Sequence, residues 1–179
     1  MVERSFCIVG PQGSGKSTAS AHLREMFPNH VYLLSSGIWE EYAGRKMTHY
    51  EKTLFQKEVI RKHGEKFFVE MFLTRIKREI DANPGAEFIV DGIRSRDVFD
   101  ALRNFFGGRM LFVGMTADES VRRARFEERD GEGSNFQDRE RRDDEQFHVK
   151  DLVNLCDVVI VNNFDNKEEL LRKLDSVIG

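Results

Sequence analysis

Short apolar runs alternate with longer stretches of helical period along this chain. The runs at 6–9, 31–34, 88–90, 110–113 and 158–161 are apolar throughout and of strand length. Between them, 16–27 has helical spacing, and 65–80 places Phe68, Phe72, Ile76 and Ile80 at every fourth position. Val98, Leu102, Phe105 and Phe106 form a further stripe, and 166–178 carries Leu170, Leu171, Leu174, Val177 and Ile178. Strands without polar alternation need cover on both faces, so the pattern predicts an α/β protein with a parallel sheet between helices. A single helix is expected over 136–155. Pro84-Gly85 and Gly107-Gly108 predict turns before the third and fourth strands, and 131–134, Gly-Glu-Gly-Ser, reads as a hinge.

Composition narrows the class. At 179 residues, 40% hydrophobic and 33% charged, the chain suits one soluble globular domain. It holds no apolar run long enough to span a bilayer. The strand pattern starts within five residues of the first, which is expected to leave no room for a secretory leader. A net charge of −3 argues against a nucleic-acid partner. Cys7 and Cys156 lack metal-ligand spacing and read as reduced core thiols of a cytoplasmic protein. The 15 phenylalanines fall mostly on helical stripes, where packing rather than base stacking is expected.

The first apolar run is followed by GPQGSGKS, residues 10–17, and then by an amphipathic stretch. The spacing G-x-x-x-x-G-K-[ST] between a strand and a helix makes a polyphosphate cradle. Glycines let successive amides turn toward phosphate oxygens, and the helix adds its positive end. The expected phosphate-binding set is Gly10, Gly13, Ser14, Gly15, Lys16, Ser17 and Thr18, with Ser17 also offering its hydroxyl to Mg²⁺. Asp91 ends a second apolar strand, which a parallel sheet would bring beside this loop, so Asp91 is expected in the metal's shell.

A bound polyphosphate either switches a shape or is transferred. A guanine-reading N-K-x-D is missing: the nearest string, 166–169, is Asn-Lys-Glu-Glu and reads as a helix cap with an acidic first turn. A transferase needs guanidinium groups on a part that closes. Seven arginines lie within 122–142: Arg122, Arg123, Arg125, Arg129, Arg139, Arg141 and Arg142. Arg125 and Arg129 share a helical face, as do Arg139 and Arg142, and the two pairs flank the glycine stretch like a lid. Arg122, Arg123 and Arg141 are read as surface salt-bridge partners. Arg94, shortly after Asp91, is placed to meet an acceptor.

Together, GPQGSGKS, FIVDGIRS at 88–95, RFEERD at 125–130, NFQDRERRD at 135–143 and LCDVVIVNN at 155–163 resemble P-loop small-molecule kinases of the nucleoside monophosphate kinase type. The closest likeness is to archaeal adenylate-kinase-related and dephospho-CoA-kinase-like proteins, over nearly the whole chain. That resemblance implies one P-loop kinase domain over 1–179. It implies a three-layer fold whose five parallel strands run in the order 2-3-1-4-5, a helical acceptor-binding insertion at 36–82 and a lid at 125–142. It further implies ATP and Mg²⁺, a phosphorylated small-molecule acceptor, and a monomer or homodimer. By matched position, Lys16 serves the phosphates, Ser17 and Asp91 the metal, and Arg94 the acceptor. Arg125 would pack on the adenine, Arg129, Arg139 and Arg142 would stabilise the moving phosphoryl, and Asn162 and Asn163 would lie near the adenine edge.

One departure stands out. Many relatives carry an Asp and then an Arg just after strand two, where an acceptor phosphate docks; here the matched positions are Gly37 and Glu40. Arg45 or Arg61 is expected to take over that task, or the acceptor is not AMP. Trp39 either faces the acceptor or packs in the core. Two alternatives stay open: a dephospho-CoA kinase, and a regulatory nucleotide-binding protein with slow hydrolysis.

Overall fold

The computed structural model describes residues 4–64, 66–130, 135–145 and 148–179, without the side chains of 49, 50, 130, 142, 143 and 145. The expected hinge at 131–134 and the Arg142 side chain therefore lie outside the described residues.

Five strands form one parallel sheet in the order β2-β3-β1-β4-β5: β1 (Ser5–Val9), β2 (Val31–Leu34), β3 (Phe88–Ile93), β4 (Met110–Thr116) and β5 (Val158–Val161). This is the predicted α/β architecture with the predicted strand order. Successive residues of β1 serve opposite faces, which is why the run carries no polar alternation. Phe6 and Ile8 join Ile89, Leu111 and Val113 under α1 (Lys16–Met26) and α9 (Lys167–Ile178). Cys7 and Val9 join Phe88, Val90 and Phe112 under α4 (Lys66–Ala82) and α5 (Arg96–Phe106), with Leu152 and Val153 closing that layer. Burial pushes the Cys7 thiol well above its ordinary range and the Cys156 thiol up to about 12, so both are inert core groups.

The chain between β2 and β3 forms three helices, α2 (Ser35–Ala43), α3 (His49–His63) and α4. They enclose a satellite core of Trp39, Met47 and Val59, with Trp39 stacked on Phe68 at 4.4 Å. A capping box between Thr48 and Glu51 starts α3. After β4 come α6 (Glu119–Asp130), α7 (Phe136–Glu145) and α8 (Val149–Asn154). The single helix expected over 136–155 is thus two, and His148 between them has a left-handed φ of 46° that no helix accommodates. At the chain's end, Asn166 Oδ1 accepts from the Glu169 amide, the cap its sequence predicted. Among the described residues no helix is long and apolar enough to cross a membrane.

Candidate functional site

The cradle sits where β1 ends and α1 begins. Gly13 and Gly15 adopt φ of 74° and 97°, a region where L side chains are strained. Space forbids a side chain as well. A Cβ on Gly13 would lie 2.5 Å from the Arg122 carbonyl oxygen, and one on Gly15 would lie 2.3 Å from Asn162 Nδ2. Gly10 is required by close approach, since its Cβ would meet the Met115 carbonyl at 2.2 Å. The loop is braced from within: Ser14 Oγ donates to the Pro11 carbonyl at 2.8 Å, as does Lys16 Nζ at 2.6 Å. Gly15 caps α1 without a side-chain acceptor, leaving the first-turn amides open to whatever occupies the cradle.

A cavity of about 1420 Å³ opens from this loop. Gly13, Gly15, Lys16, Ser17 and Thr18 line one end of it, and Arg125, Arg129, Arg139 and Asn162 approach from the side of α6, α7 and β5. Asp91 and Arg94 reach it from the end of β3. The β3 register slips by one residue there, because Ile8 pairs with Asp91 and Val9 with Ile93, and Gly92 takes up the extra residue at φ 79°. Asp91 Oδ2 accepts from Ser20 Oγ at 2.8 Å and from Tyr32 OH at 3.1 Å, which fixes the carboxylate against α1. Burial, then the Asp91 charge, raises the Tyr32 pKa, so the phenol stays a donor.

Two of these arginines meet on one aromatic ring. The Arg129 guanidinium of α6 lies 5.3 Å from the Phe126 ring centre, and that of Arg139 on α7 lies 5.0 Å from it. Arg125 instead spans the loops: it donates to the Asn162 carbonyl at 2.9 Å, the Phe164 carbonyl at 3.0 Å and the Gly13 carbonyl at 3.5 Å.

The expected residues divide between the cavity and its supports. Gly10 and Ser14 shape the loop from beneath and do not line the cavity; the Ser14 hydroxyl is wholly buried and turned to Pro11. The Asn162 side chain donates to the Ser14 carbonyl at 2.9 Å, so it braces the loop as well as lining the cavity. Asn163 does not line it: its Oδ1 accepts from the Asp118 amide at the start of α6. Strand alternation explains the split, because neighbouring residues leaving β5 point to opposite sides. Arg122 is no surface residue: it is 3% exposed and paired through both terminal nitrogens with Glu140. Arg123 and Arg141 do form exposed pairs, with Glu119 and Asp138.

Helices α2, α3 and α4 supply the cavity's other end. Lys52, Thr53, Gln56, Lys57 and Ile60 present one face of α3, opposite Ser35, Ser36, Trp39 and Phe68. Arg45 and Arg61 do not line it; Arg45 is held outside by Glu51 at 3.0 Å. Glu40, the residue that broke the family pattern, is neutralised by Lys52 and Lys46, each at 3.0 Å. The Lys52 hydrogen bond, then those of Lys46 and the Met47 amide, hold its carboxyl at about 2. Lys52 and Lys57 escaped the sequence reading because lysines on a helix face usually mark solvent. Their spacing with Gln56 and Ile60 was the available signal.

Comparison with known proteins bears on the family and the fold. Residues 7–148 match the family described as AAA domain. A UPF0200 protein from Pyrobaculum aerophilum is 28% identical, covering 97% of this chain and 95% of the relative. The shikimate kinase from Acinetobacter baumannii, solved with shikimate, superposes with a TM-score of 0.60 at 18% identity, covering 99% of this chain and 93% of that one. A gluconokinase from Sinorhizobium meliloti 1021 gives 0.56 at 16% identity, with 96% and 89% coverage. The fold is therefore that of P-loop small-molecule kinases.

Proposed function

The chain belongs to the AAA domain family, and from that premise we propose that it is an ATP-dependent phosphotransferase whose acceptor is a small molecule already bearing a phosphate. The observation that carries this reading is that the phosphate loop and the helical insertion open into one cavity of about 1420 Å³. A site for one small ligand measures roughly 300–1,000 Å³, so this volume suits a nucleotide and an acceptor side by side.

In this reading Gly13, Gly15, Lys16, Ser17 and Thr18 hold the triphosphate, and Arg125 and Asn162 border the base. Arg94, Lys52 and Lys57 take the acceptor's anion, and the Trp39–Phe68 pair floors its remainder. The acceptor oxygen attacks the γ-phosphorus, the bond from that phosphorus to the bridging oxygen breaks, and ADP leaves with the electron pair. Arg129, Arg139 and Arg142 neutralise charge on the moving phosphoryl. An acceptor phosphate is already ionised and needs no general base. Mg²⁺ fits the same corner. Among the described residues no cluster of three or more His, Cys, Asp or Glu exists to hold a metal alone. The ion would thus share the Ser17 hydroxyl, the Asp91 carboxylate and the phosphates, adding charge neutralisation across the bond that breaks.

The test is a panel of acceptors with γ-labelled ATP: nucleoside monophosphates, dephospho-CoA and, as an acceptor without phosphate, shikimate. Dephospho-CoA stays on the panel as the other phosphate-bearing acceptor that the sequence resemblance implies. Label on a phosphate-bearing acceptor supports the proposal. Release of free phosphate alone, at a rate Arg94→Ala leaves unchanged, would instead favour a regulatory ATPase.

A further inference from the structure

α7 is a nearly wholly polar helix, FQDRERRDDE, so its attachment to the body needs an explanation. Among its described side chains only Phe136 and Glu140 are buried, and they lie one turn apart on the same face. Phe136 packs against Phe126 of α6 with ring centres 5.5 Å apart. Glu140 meets Arg122 of α6 in a two-pronged pair at 2.5 Å, reinforced from outside by Lys150 at 3.7 Å. Burial works against the Arg122 charge, and the Glu140 hydrogen bonds and charge outweigh it, so the pair stays ionic.

Arg122 also belongs to the phosphate loop's surroundings. Its backbone is what a Cβ on Gly13 would strike, its Nε donates to the Ala117 carbonyl at 3.0 Å, and its Nη1 donates to the Gln12 carbonyl at 3.4 Å. Gln12, inside the loop, returns the link by donating Nε2 to the Phe136 carbonyl at 3.4 Å. Next to Glu140 stands Arg139, which lines the cavity.

We propose that Arg122 and Glu140 are positioning residues: their buried ion pair seats α7 on the phosphate loop and through it sets Arg139 at the cavity. Only the kinetic arm of the following test rests on the phosphotransferase reading.

In that arm, turnover is measured for wild type, Glu140→Gln, Arg139→Ala and the double variant. Because an arginine at a moving phosphoryl contributes ~10³–10⁵ in rate, Glu140→Gln is expected to lower kcat about 30-fold or more, with the KM for ATP moving less than about 3-fold. The double variant should be no slower than Arg139→Ala alone, and Glu140→Asp should restore part of the rate. Losses that multiply in the double variant, or a near-normal Glu140→Gln, overturn the proposal.

In the second arm, amide exchange over 136–145 is followed in the protein without added nucleotide. It should be about 10-fold faster in Glu140→Gln, with β1, β3 and β4 unchanged. Equal exchange in the two proteins overturns the proposal. Should the core strands also exchange faster, Arg122→Lys replaces that variant, keeping the charge without the two-pronged geometry. A wild type that neither transfers phosphoryl groups nor hydrolyses ATP sinks the proposed function, while the exchange arm still decides the ion pair.

Discussion

The two ends of the cavity are built in different ways. The end proposed for the phosphates comes from the consecutive residues 10–18, and backbone shape does most of the work. Its glycines sit where a Cβ would lie 2.2–2.5 Å from neighbouring atoms, and its buried hydroxyl is spent on the loop itself. The end proposed for the acceptor is assembled from α2, α3, α4 and the end of β3, and side chains do the work there. There Lys52 pairs with Glu40, which also meets Lys46, and Trp39 lies flat on Phe68. A polyphosphate has one shape, which a fixed backbone can fit. An acceptor varies, and side chains can be exchanged without rebuilding the sheet.

That contrast breaks down if the phosphate end tolerates a side chain. Gly15→Ala forces a Cβ to 2.3 Å from Asn162 Nδ2 at a φ of 97°. The left-handed penalty alone is ~1–2 kcal/mol, and with the clash the loss of ATP affinity should reach about 100-fold or more, read by calorimetric titration. Larger still is the effect of Arg139→Ala, expected to lower turnover about 10³-fold with ATP affinity little changed, since it acts on charge that develops during transfer.

The acceptor end should respond more gently and selectively. Lys52→Ala is expected to raise the acceptor's KM about 10-fold and leave that of ATP alone, a split visible in two-substrate kinetics. The smallest effect concerns acid. Glu40 is lowered from the usual 4.5 to about 2, foremost by the Lys52 hydrogen bond, and Glu51 to about 2, foremost by the Thr48 amide. A depressed carboxylate stabilises the fold above its unfolded pKa and loses that contribution as pH falls through its folded one. Thermal unfolding should therefore show Glu40→Gln losing less stability than wild type between pH 4.5 and about 2.

Much of this was readable beforehand, unevenly. The five strands and the cradle were legible because apolar runs and glycine spacing are local signals. Asp91 and Arg94 were legible because a parallel sheet puts strand ends together. The Arg122–Glu140 pair was not, although its hint was present: Glu140 shares a face with Phe136 on an otherwise polar helix. Among seven arginines in 21 positions, nothing local distinguishes the one that is 3% exposed from Arg123 and Arg141 in their exposed pairs. The split between Asn162 and Asn163 was hidden for a similar reason, since adjacent asparagines differ only in which side of the strand each leaves.

By itself, the order of residues determined the layered parallel sheet and the place of the phosphate loop. Periodicity and backbone freedom are properties of neighbours along the chain. Only the tertiary structure decided which charges are structural and which face the cavity. A guanidinium's role depends on what lies across from it, and here those partners come from elements 18 to 110 residues away, as for Arg122 with Glu140 and Gln12.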